Sequence, residues 1–177
     1  MSYPNLIIGG IEIPLRALTD VFSQEYEEIA AISARRMASG VLHLQRAWPA
    51  SGNYKLRTTL QGGGRLPAPL DNLDRGGAHE IQCAQHRHAG AAGNVIVIPA
   101  GRRSGGIYAP QGFALVAGEL VSTPLSIATN TATLTAVSGA QHYEVRYWPK
   151  FTGAITHKSS GEPWLARRTW SVTIEEV

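Results

Sequence analysis

Short stretches in which apolar and polar residues alternate recur along most of this chain. The clearest are "VLHLQR" at 41–46, "YKLRTTL" at 54–60 and "TWSVTIEEV" at 169–177. Successive side chains of a β-strand face opposite sides of a sheet, so this alternation predicts strands with one buried face. The same pattern, less regular, predicts strands in "AHEIQCAQ", "NVIVIP", "FALVAGELV", "LSIATNTATLTAV", "QHYEVRYWP" and "FTGAITHKS".

Glycine, proline and serine separate these stretches at intervals of about 8–12 residues, a spacing typical of β-sandwiches and barrels. The sequence therefore predicts an all-β, sandwich- or barrel-like single domain over residues 1–177. Extended loops rich in glycine and proline are predicted near 61–79 and 99–112. A chain of 177 residues buries enough surface to fold without a metal or a disulfide.

The first forty residues contain one clear element and one ambiguous one. In "LIIGGIEIPL" the Gly9-Gly10 pair permits the positive φ angles of a tight hairpin, and Pro14 places the second run at a sheet edge or at a strand end. The stretch "DVFSQEYEEIAAISARRMASG" suits either a helix or a strand. Periodicity alone does not decide between them.

Composition excludes several classes of protein. The N-terminus lacks the features of a signal peptide, and no run approaches 18 apolar residues, so we expect no membrane insertion. The single cysteine permits no internal disulfide, which fits a protein made in a reducing compartment.

Charge is unevenly distributed. Residues 1–34 carry one base and five acids, residues 35–103 carry ten bases and three acids, and residues 104–177 carry five of each. A basic middle is one property of nucleic-acid-binding proteins, but no lysine run and no interleaving of basic and aromatic residues accompanies it. We therefore interpret it as ordinary surface charge and predict no nucleic-acid partner.

The stretch "HEIQCAQHRH" at 79–88 has the spacing H-x3-C-x2-H-x-H and contains four side chains that can bind zinc. If the stretch is one strand, Cys83 lies on the face opposite His86 and His88. Zinc requires ligands that converge at about 2.0–2.3 Å, and this strand would separate them. We therefore predict a strand that runs into a loop, a buried Cys83, and no metal.

Other candidate chemistry is weaker. "QGGGRLPAP" lacks the lysine and hydroxyl residue of a phosphate-binding loop, and Cys83 has no activating context in the sequence. Asp71 and Asp74 lie in a Gly/Pro-rich segment, where they suit turns better than acid–base catalysis. We predict that the chain is not an enzyme and uses no cofactor.

Three of the four tryptophans fall in the last thirty residues, within "YWPKF" and "EPWLARRTW". Aromatic residues and arginine favour the centres of protein interfaces, and tryptophan also forms platforms in carbohydrate-binding sites. Plain core packing is the remaining interpretation, which we expect for at least two of the four.

The segments "YPNLIIGG", "QEYEEI", "AWPASGNYKLRTTLQGGGRLPAPLDNLD" and the ending "YEVRYWPKF…TWSVTIEEV" resemble small tail-tip and baseplate proteins of tailed bacteriophages, of the distal-tail-protein kind. The resemblance extends over most of the chain but carries no catalytic motif, so no functional residue transfers. The segment "AQHRHAGAAG" departs from the family's pattern. The resemblance implies a β-rich structural protein of the virion tail, assembled in the host cytoplasm as a homo-oligomeric ring that contacts adjacent tail proteins. It also implies that "QEYEEI" is a strand.

The charge asymmetry suits a head-to-tail contact between subunits, although the same patches could instead neutralise each other within one subunit. Two further functions stay open: a carbohydrate-binding module with Trp164 and Trp170, or a nearby tyrosine, as platforms, and a small metal-dependent hydrolase. The candidate interface residues are Glu25, Glu27, Glu28, Arg35, Arg36, Arg102, Arg103 and Trp164.

Overall fold

A computed structural model describes residues 5–13, 22–29, 32–37, 39–46, 55–63, 68–160 and 169–177. The chain divides into two compact units, each built from two separate segments. Unit 1 comprises Met1–Ala17 and His79–Thr152, and unit 2 comprises Leu18–Ala78 and Gly153–Val177.

Unit 1 is built almost entirely of antiparallel strands. Its short first hairpin turns at Gly9 and Gly10, whose φ angles of 59° and 79° are those that glycine adopts without strain. Its strands are β1 Leu6–Ile8, β2 Ile11–Ile13, β7 Ala78–Gln82, β8 Arg87–Ala91, β9 Val95–Val97, β10 Gln111–Val116, β11 Glu119–Thr123, β12 Leu125–Ala128, β13 Thr131–Leu134 and β14 Ala140–Tyr147, with a 3-10 turn at Gly106–Tyr108; β7 enters unit 1 at His79.

Two sheets of unit 1 enclose one core. The first sheet has the order β11-β10-β14-β8, and the second has the order β12-β13-β9. Inward-facing residues of both sheets meet there, which is the arrangement of a β-sandwich. The buried members of this core are Ile96, Ile98, Ala114, Ala132, Leu134, Tyr143, Val145 and Tyr147.

Unit 2 contains a sheet of order β15-β16-β6-β3. Alternation along β6 and β16 buries one face, so Leu60, Val172 and Ile174 are fully enclosed. Lys158 Nζ donates hydrogen bonds to the carbonyls of Asp71 and Leu73, which ties the segment after the helix to β15. The elements are β3 Ser23–Ile29, β4 Ile32–Arg36, β5 Leu42–Arg46, β6 Lys55–Gly63, α1 Ala68–Asp71, β15 Lys150–Ser160 and β16 Thr169–Glu176; β15 enters unit 2 at Gly153.

Trp170 and Gly62 are directly opposed on neighbouring strands β16 and β6. The indole ring lies against the glycine so closely that a Cβ at position 62 would overlap Trp170 Cζ2, Cε2 and Nε1. Trp170 is only 1% exposed. It is therefore a core residue, and the interpretation of Trp170 as a carbohydrate platform is wrong.

The all-β prediction is confirmed, and "QEYEEI" is a strand within β3. Two predicted strands are each hairpins: "FALVAGELV" turns at Ala117-Gly118 and "LSIATNTATLTAV" turns at Thr129-Asn130. Ala117 and Thr129 adopt positive φ angles of 51° and 56°. Alternation continues through both turns, which concealed them in the sequence.

The predicted loop near 61–79 is shorter in the structure, because β6 continues to Gly63 and β7 begins at Ala78. Helix α1, with a buried Leu70, lies between them. No helix within the described residues is long and apolar enough to cross a bilayer. The assignment of residues 1–177 to a single domain stays a prediction.

Candidate functional site

The stretch 79–88 consists of two strands joined by a bend, not of one strand. Strand β7 ends at Gln82, residues 83–86 form the bend, and β8 begins at Arg87. The argument that one strand separates Cys83 from the histidines is therefore wrong. The bend directs Cys83 inward and leaves His86 half-buried and His88 exposed.

Cys83 is fully buried. Its backbone N–H donates to the Pro149 carbonyl at 3.0 Å, and its own carbonyl accepts from Arg103 Nη1 at 2.9 Å. A buried thiol is inaccessible to a substrate, so this cysteine functions as a small apolar core residue. The prediction of a buried Cys83 is confirmed.

His86, His88, Glu144 and Arg146 form a polar cluster on the outer face of the β11-β10-β14-β8 sheet. His88 lies opposite Arg146 in the β8–β14 pairing. Its Nδ1 is 2.5 Å from Glu144 Oε1, and Arg146 Nε donates to the same oxygen at 3.2 Å. The His86 and His88 rings are 4.8 Å apart, measured between centroids.

The pKa values in this cluster move in ways that its geometry explains. Burial lowers the pKa of His86, and the neighbouring charges of His88 and Arg146 lower it further. Burial alone would raise the pKa of Glu144, but its hydrogen bonds with His88 and Arg146 outweigh burial and lower it. Near neutral pH the arrangement therefore favours a neutral His86 beside an ionised Glu144.

The histidines of this region are possible metal ligands, but the sequence predicts no metal here. Among the described residues, no group of three or more histidine, cysteine, aspartate or glutamate side chains is arranged to hold a metal ion. Cys83 faces the interior, and Glu144 is already held by His88 and Arg146. The geometry gives no support to a metal-dependent hydrolase at this position.

Arg103 is a second polar centre in unit 1, and it is buried. Its Nη1 donates to the Asn5 carbonyl at 2.6 Å as well as to Cys83, and its Nη2 donates to Asn5 Oδ1 at 2.8 Å. The guanidinium also lies over the ring of Tyr108, whose hydroxyl bonds to Asn5. Arg103 therefore holds three chain segments together and is not a surface interface residue, which corrects that prediction.

Arg102 is likewise held within unit 1. Its Nη2 donates to the Thr129 carbonyl at 2.6 Å, and its Nη1 donates to the Pro99 carbonyl at 2.6 Å. The adjacent backbone is fixed as well, because Arg103 N–H donates to the Trp148 carbonyl and Lys150 N–H donates to the Gly101 carbonyl. Residues 101–103 of the predicted loop near 99–112 are therefore fixed by contacts within unit 1.

No family model, no curated protein and no solved structure matches this chain. Function must therefore be argued from the chemistry of the surfaces themselves.

Strand β3 is the end strand of the unit 2 sheet among the described residues. It carries three acidic residues, Glu25, Glu27 and Glu28, and all three are exposed. Glu27 Oε2 lies 2.9 Å from Arg57 Nη1, and Arg57 Nη2 lies 2.8 Å from Glu175 Oε1. These hydrogen bonds raise the pKa of Arg57. The charge of Glu27 is therefore neutralised within its own unit. Glu25 lies two residues earlier in β3, on the same exposed face.

The remaining candidate interface residues differ in what the structure describes. Arg35 lies in β4, whose side chains at 32–35 are outside the described set, and Trp164 falls outside the described residues. Arg36 is exposed, and its Nη1 donates to the Gly40 carbonyl at 3.3 Å across the tip of the β4–β5 hairpin. The proposed contact of Glu25, Glu27 and Glu28 with these arginines stays a prediction.

Neither the cluster around Glu144 nor the buried contacts of Arg103 could be predicted from the sequence. Alternation did place Glu144 and Arg146 on one face of a strand, but only the pairing of β8 with β14 brings His88 to them. The Arg103 contacts join residues 98 and 20 positions apart along the chain. Such partners are set by topology and leave no local signal in a single sequence.

Proposed function

We propose that this chain is a structural subunit of the tail tip or baseplate of a tailed bacteriophage. In this proposal the subunits form a homo-oligomeric ring and contact adjacent tail proteins. The subunit is assembled in the host cytoplasm and then resides in the virion tail. The proposal assigns it no catalytic step and no cofactor.

The position of exposed apolar residues carries this proposal. Six of the seven large apolar residues that are exposed among the described residues lie on strands at sheet ends or at the tip of a hairpin. Apolar side chains at such places favour contact with another chain over contact with water. They are Val95 and Val97 on β9, Leu120 and Val121 on β11, and Met37 and Val41 beside the β4–β5 turn.

Internal rigidity supports the same function. Arg102 and Arg103 use their charged side chains to join loops and strand ends within unit 1, so these side chains are not available to a substrate. A subunit of a mechanical assembly benefits from a fixed shape, because its contacts on several sides must be formed together. The sequence resemblance to tail-tip proteins points in the same direction.

Localisation in the particle tests the proposal. Tailed particles would be purified from the host that encodes this chain, and their proteins would be identified by mass spectrometry. Antibodies against the chain, visualised by gold labelling in the electron microscope, should then label the tail tip. Particles that lack the chain, or label on the capsid alone, would show that the proposal is wrong.

A further inference from the structure

We propose that strand β11 of one copy pairs with strand β8 of a second copy, so that the four-stranded sheet of unit 1 continues from subunit to subunit. This inference deepens the proposed function and rests on it for the assumption that copies assemble. It names the two surfaces that meet. The occupant of the β11 edge is thus another copy of this chain.

Both strands are the ends of the same sheet. In the order β11-β10-β14-β8, β11 is paired only with β10 and β8 only with β14 among the described residues. An unpaired edge presents backbone donors and acceptors that favour the addition of another strand. On β11 this edge is also apolar, because Leu120 is 47% exposed and Val121 is 42% exposed.

The turn before β11 determines which of its residues direct their backbone N–H and C=O groups toward β10 and which direct them toward the free edge. Val116 and Glu119 flank the two-residue turn Ala117-Gly118, so they form a hydrogen-bonded pair, and such pairs alternate along the hairpin. Glu119, Val121 and Thr123 then direct their backbone groups toward β10. Leu120 and Ser122 direct theirs outward, toward the free edge.

The same alternation, followed across β10 and β14, shows which residues of β8 direct their backbone groups toward β14 and which direct them outward. Ala89 is opposite Val145 and directs its backbone groups toward β14, whereas His88 and Gly90 direct theirs outward. On β8 the outward backbone groups belong to His88 and Gly90, both at positions that face the outer side of the sheet. On β11 they belong to Leu120 and Ser122, which face the same side. The two edges can therefore pair without turning either sheet over.

Strand direction also fits. All neighbouring strands of this sheet are antiparallel, and the sheet has four strands, so its two end strands run in opposite directions. Copies arranged head to tail then continue an antiparallel sheet. The β12-β13-β9 sheet has three strands, so its ends run in the same direction and would meet in the parallel arrangement.

Charge favours the unlike pair of edges over like pairs. Glu119 is the only charged residue of β11, whereas β8 carries Arg87 and His88 and no acid. Two β8 edges would bring Arg87 near its own counterpart. In the head-to-tail register with Leu120 opposite His88, Glu119 lies diagonally across from Arg87, within reach of two long side chains.

Complementary charge reversal tests which edges meet. The full-length variants E119R and R87E would be studied separately and mixed, with assembly followed by sedimentation velocity and native mass spectrometry. Each variant alone should self-associate about threefold to tenfold more weakly than the wild type, because a favourable pair becomes a like-charge pair. An equimolar mixture should recover wild-type association, since alternating copies restore an unlike pair at every contact.

Proline substitution tests the backbone pairing itself. Ser122 is exposed and its N–H points to the free edge, so S122P removes an outward donor without removing a bond to β10. S122P should weaken association more than about tenfold, whereas S122A, which keeps the N–H, should assemble as the wild type does. Near-UV circular dichroism would check the fold, and if S122P does not fold, the charge-reversal mixture decides.

The inference is overturned if S122P assembles as S122A does, if mixing restores nothing, or if the wild type stays monomeric at millimolar concentration. A closed dimer would also overturn it, because two-fold pairing joins like edges. The proposed function fails separately, when purified tailed particles lack the chain. Particles that contain the chain while folded S122P assembles normally would leave the function intact and remove only the β11–β8 contact.

Discussion

The guanidinium carbon of Arg103 lies 3.3 Å from the centre of the Tyr108 ring. The guanidinium stacks on this ring and also donates hydrogen bonds to the carbonyl oxygens of Asn5 and Cys83. The Arg103 side chain therefore joins the residue before β1, the bend after β7 and the segment before β10. Because a guanidinium cannot lose its proton in a protein, its burial is stabilising only while these acceptors remain in place.

Replacing Arg103 by methionine should therefore destabilise the protein by about 2–3 kcal/mol, since buried carbonyls would be left without donors. Chemical denaturation followed by tryptophan fluorescence measures this change. The exposed Arg36→Met, which loses a single 3.3 Å bond, is the matched control and should change the free energy of unfolding by less than about 0.5 kcal/mol. Equal effects of the two substitutions would show that Arg103 does not hold the segments together.

Gly62→Ala should be destabilising by about 1–3 kcal/mol, because its Cβ would overlap the buried, inflexible Trp170 ring. Gly93→Ala is the control, since a Cβ there has nothing within 4 Å. Thermal unfolding of both variants provides the comparison. A Gly62→Ala protein that melts with the wild type would mean that β6 and β16 are not opposed as described.

The sequence predicted most strands because alternation depends only on which face of a sheet is buried. The turns at Ala117-Gly118 and Thr129-Asn130 could not be recognised, because the alternation of apolar and polar residues continues through them without a break. The sequence predicted burial of Cys83 correctly but from an incorrect continuous strand.

The candidate surfaces were less predictable from the sequence than the strands. Arg102 and Arg103 look alike in a glycine-rich segment, yet one is half-buried and the other is almost fully buried. The difference arises from Asn5, Cys83 and Tyr108, which only the fold brings together. Likewise, the alternation of the sequence does not show that Leu120 is exposed, because its exposure follows from its place on the outer face of the end strand β11.

Protein purified without added metal should contain no stoichiometric zinc. Cys83 faces the interior, and Glu144 is occupied by His88 and Arg146, so His86 and His88 alone provide too few ligands. Inductively coupled plasma mass spectrometry of the wild type and of the double variant H86A/H88A tests this. One zinc per chain in the wild type that disappears in the double variant would show that the prediction is wrong.

Charge reversal at Glu25 and at Glu27 should have different consequences. Glu25→Lys changes an exposed carboxylate and should weaken assembly while the monomer stays folded. Glu27→Lys places a cation beside Arg57 and should instead lower monomer stability slightly, because the pair is exposed and screened by solvent. Sedimentation and denaturation of each variant separate the two effects. Normal assembly of Glu25→Lys would favour neutralisation of the acidic patch within one subunit.

Stability should fall in two steps as the pH is lowered, because of His86 and Glu144. The pKa of His86 is lowered in the folded state, so the unfolded chain binds this proton more readily. Its contribution is present above about pH 6.5, the ordinary histidine value, and is lost as the pH falls below it. The pKa of Glu144 is also lowered, so its contribution persists above about pH 4.3 and is lost below that value.

Denaturation midpoints measured between neutral and acidic pH test this sign for each group. In His86→Gln the decline that begins near the histidine pKa should become smaller, while the decline at more acidic pH stays. In Glu144→Gln the second decline should become smaller, and stability at neutral pH should also fall because His88 and Arg146 lose their shared acceptor. His157, which is exposed on β15, provides the control, since His157→Gln should leave both steps unchanged. A His86→Gln protein with the full pH dependence of the wild type would assign the first step to another histidine.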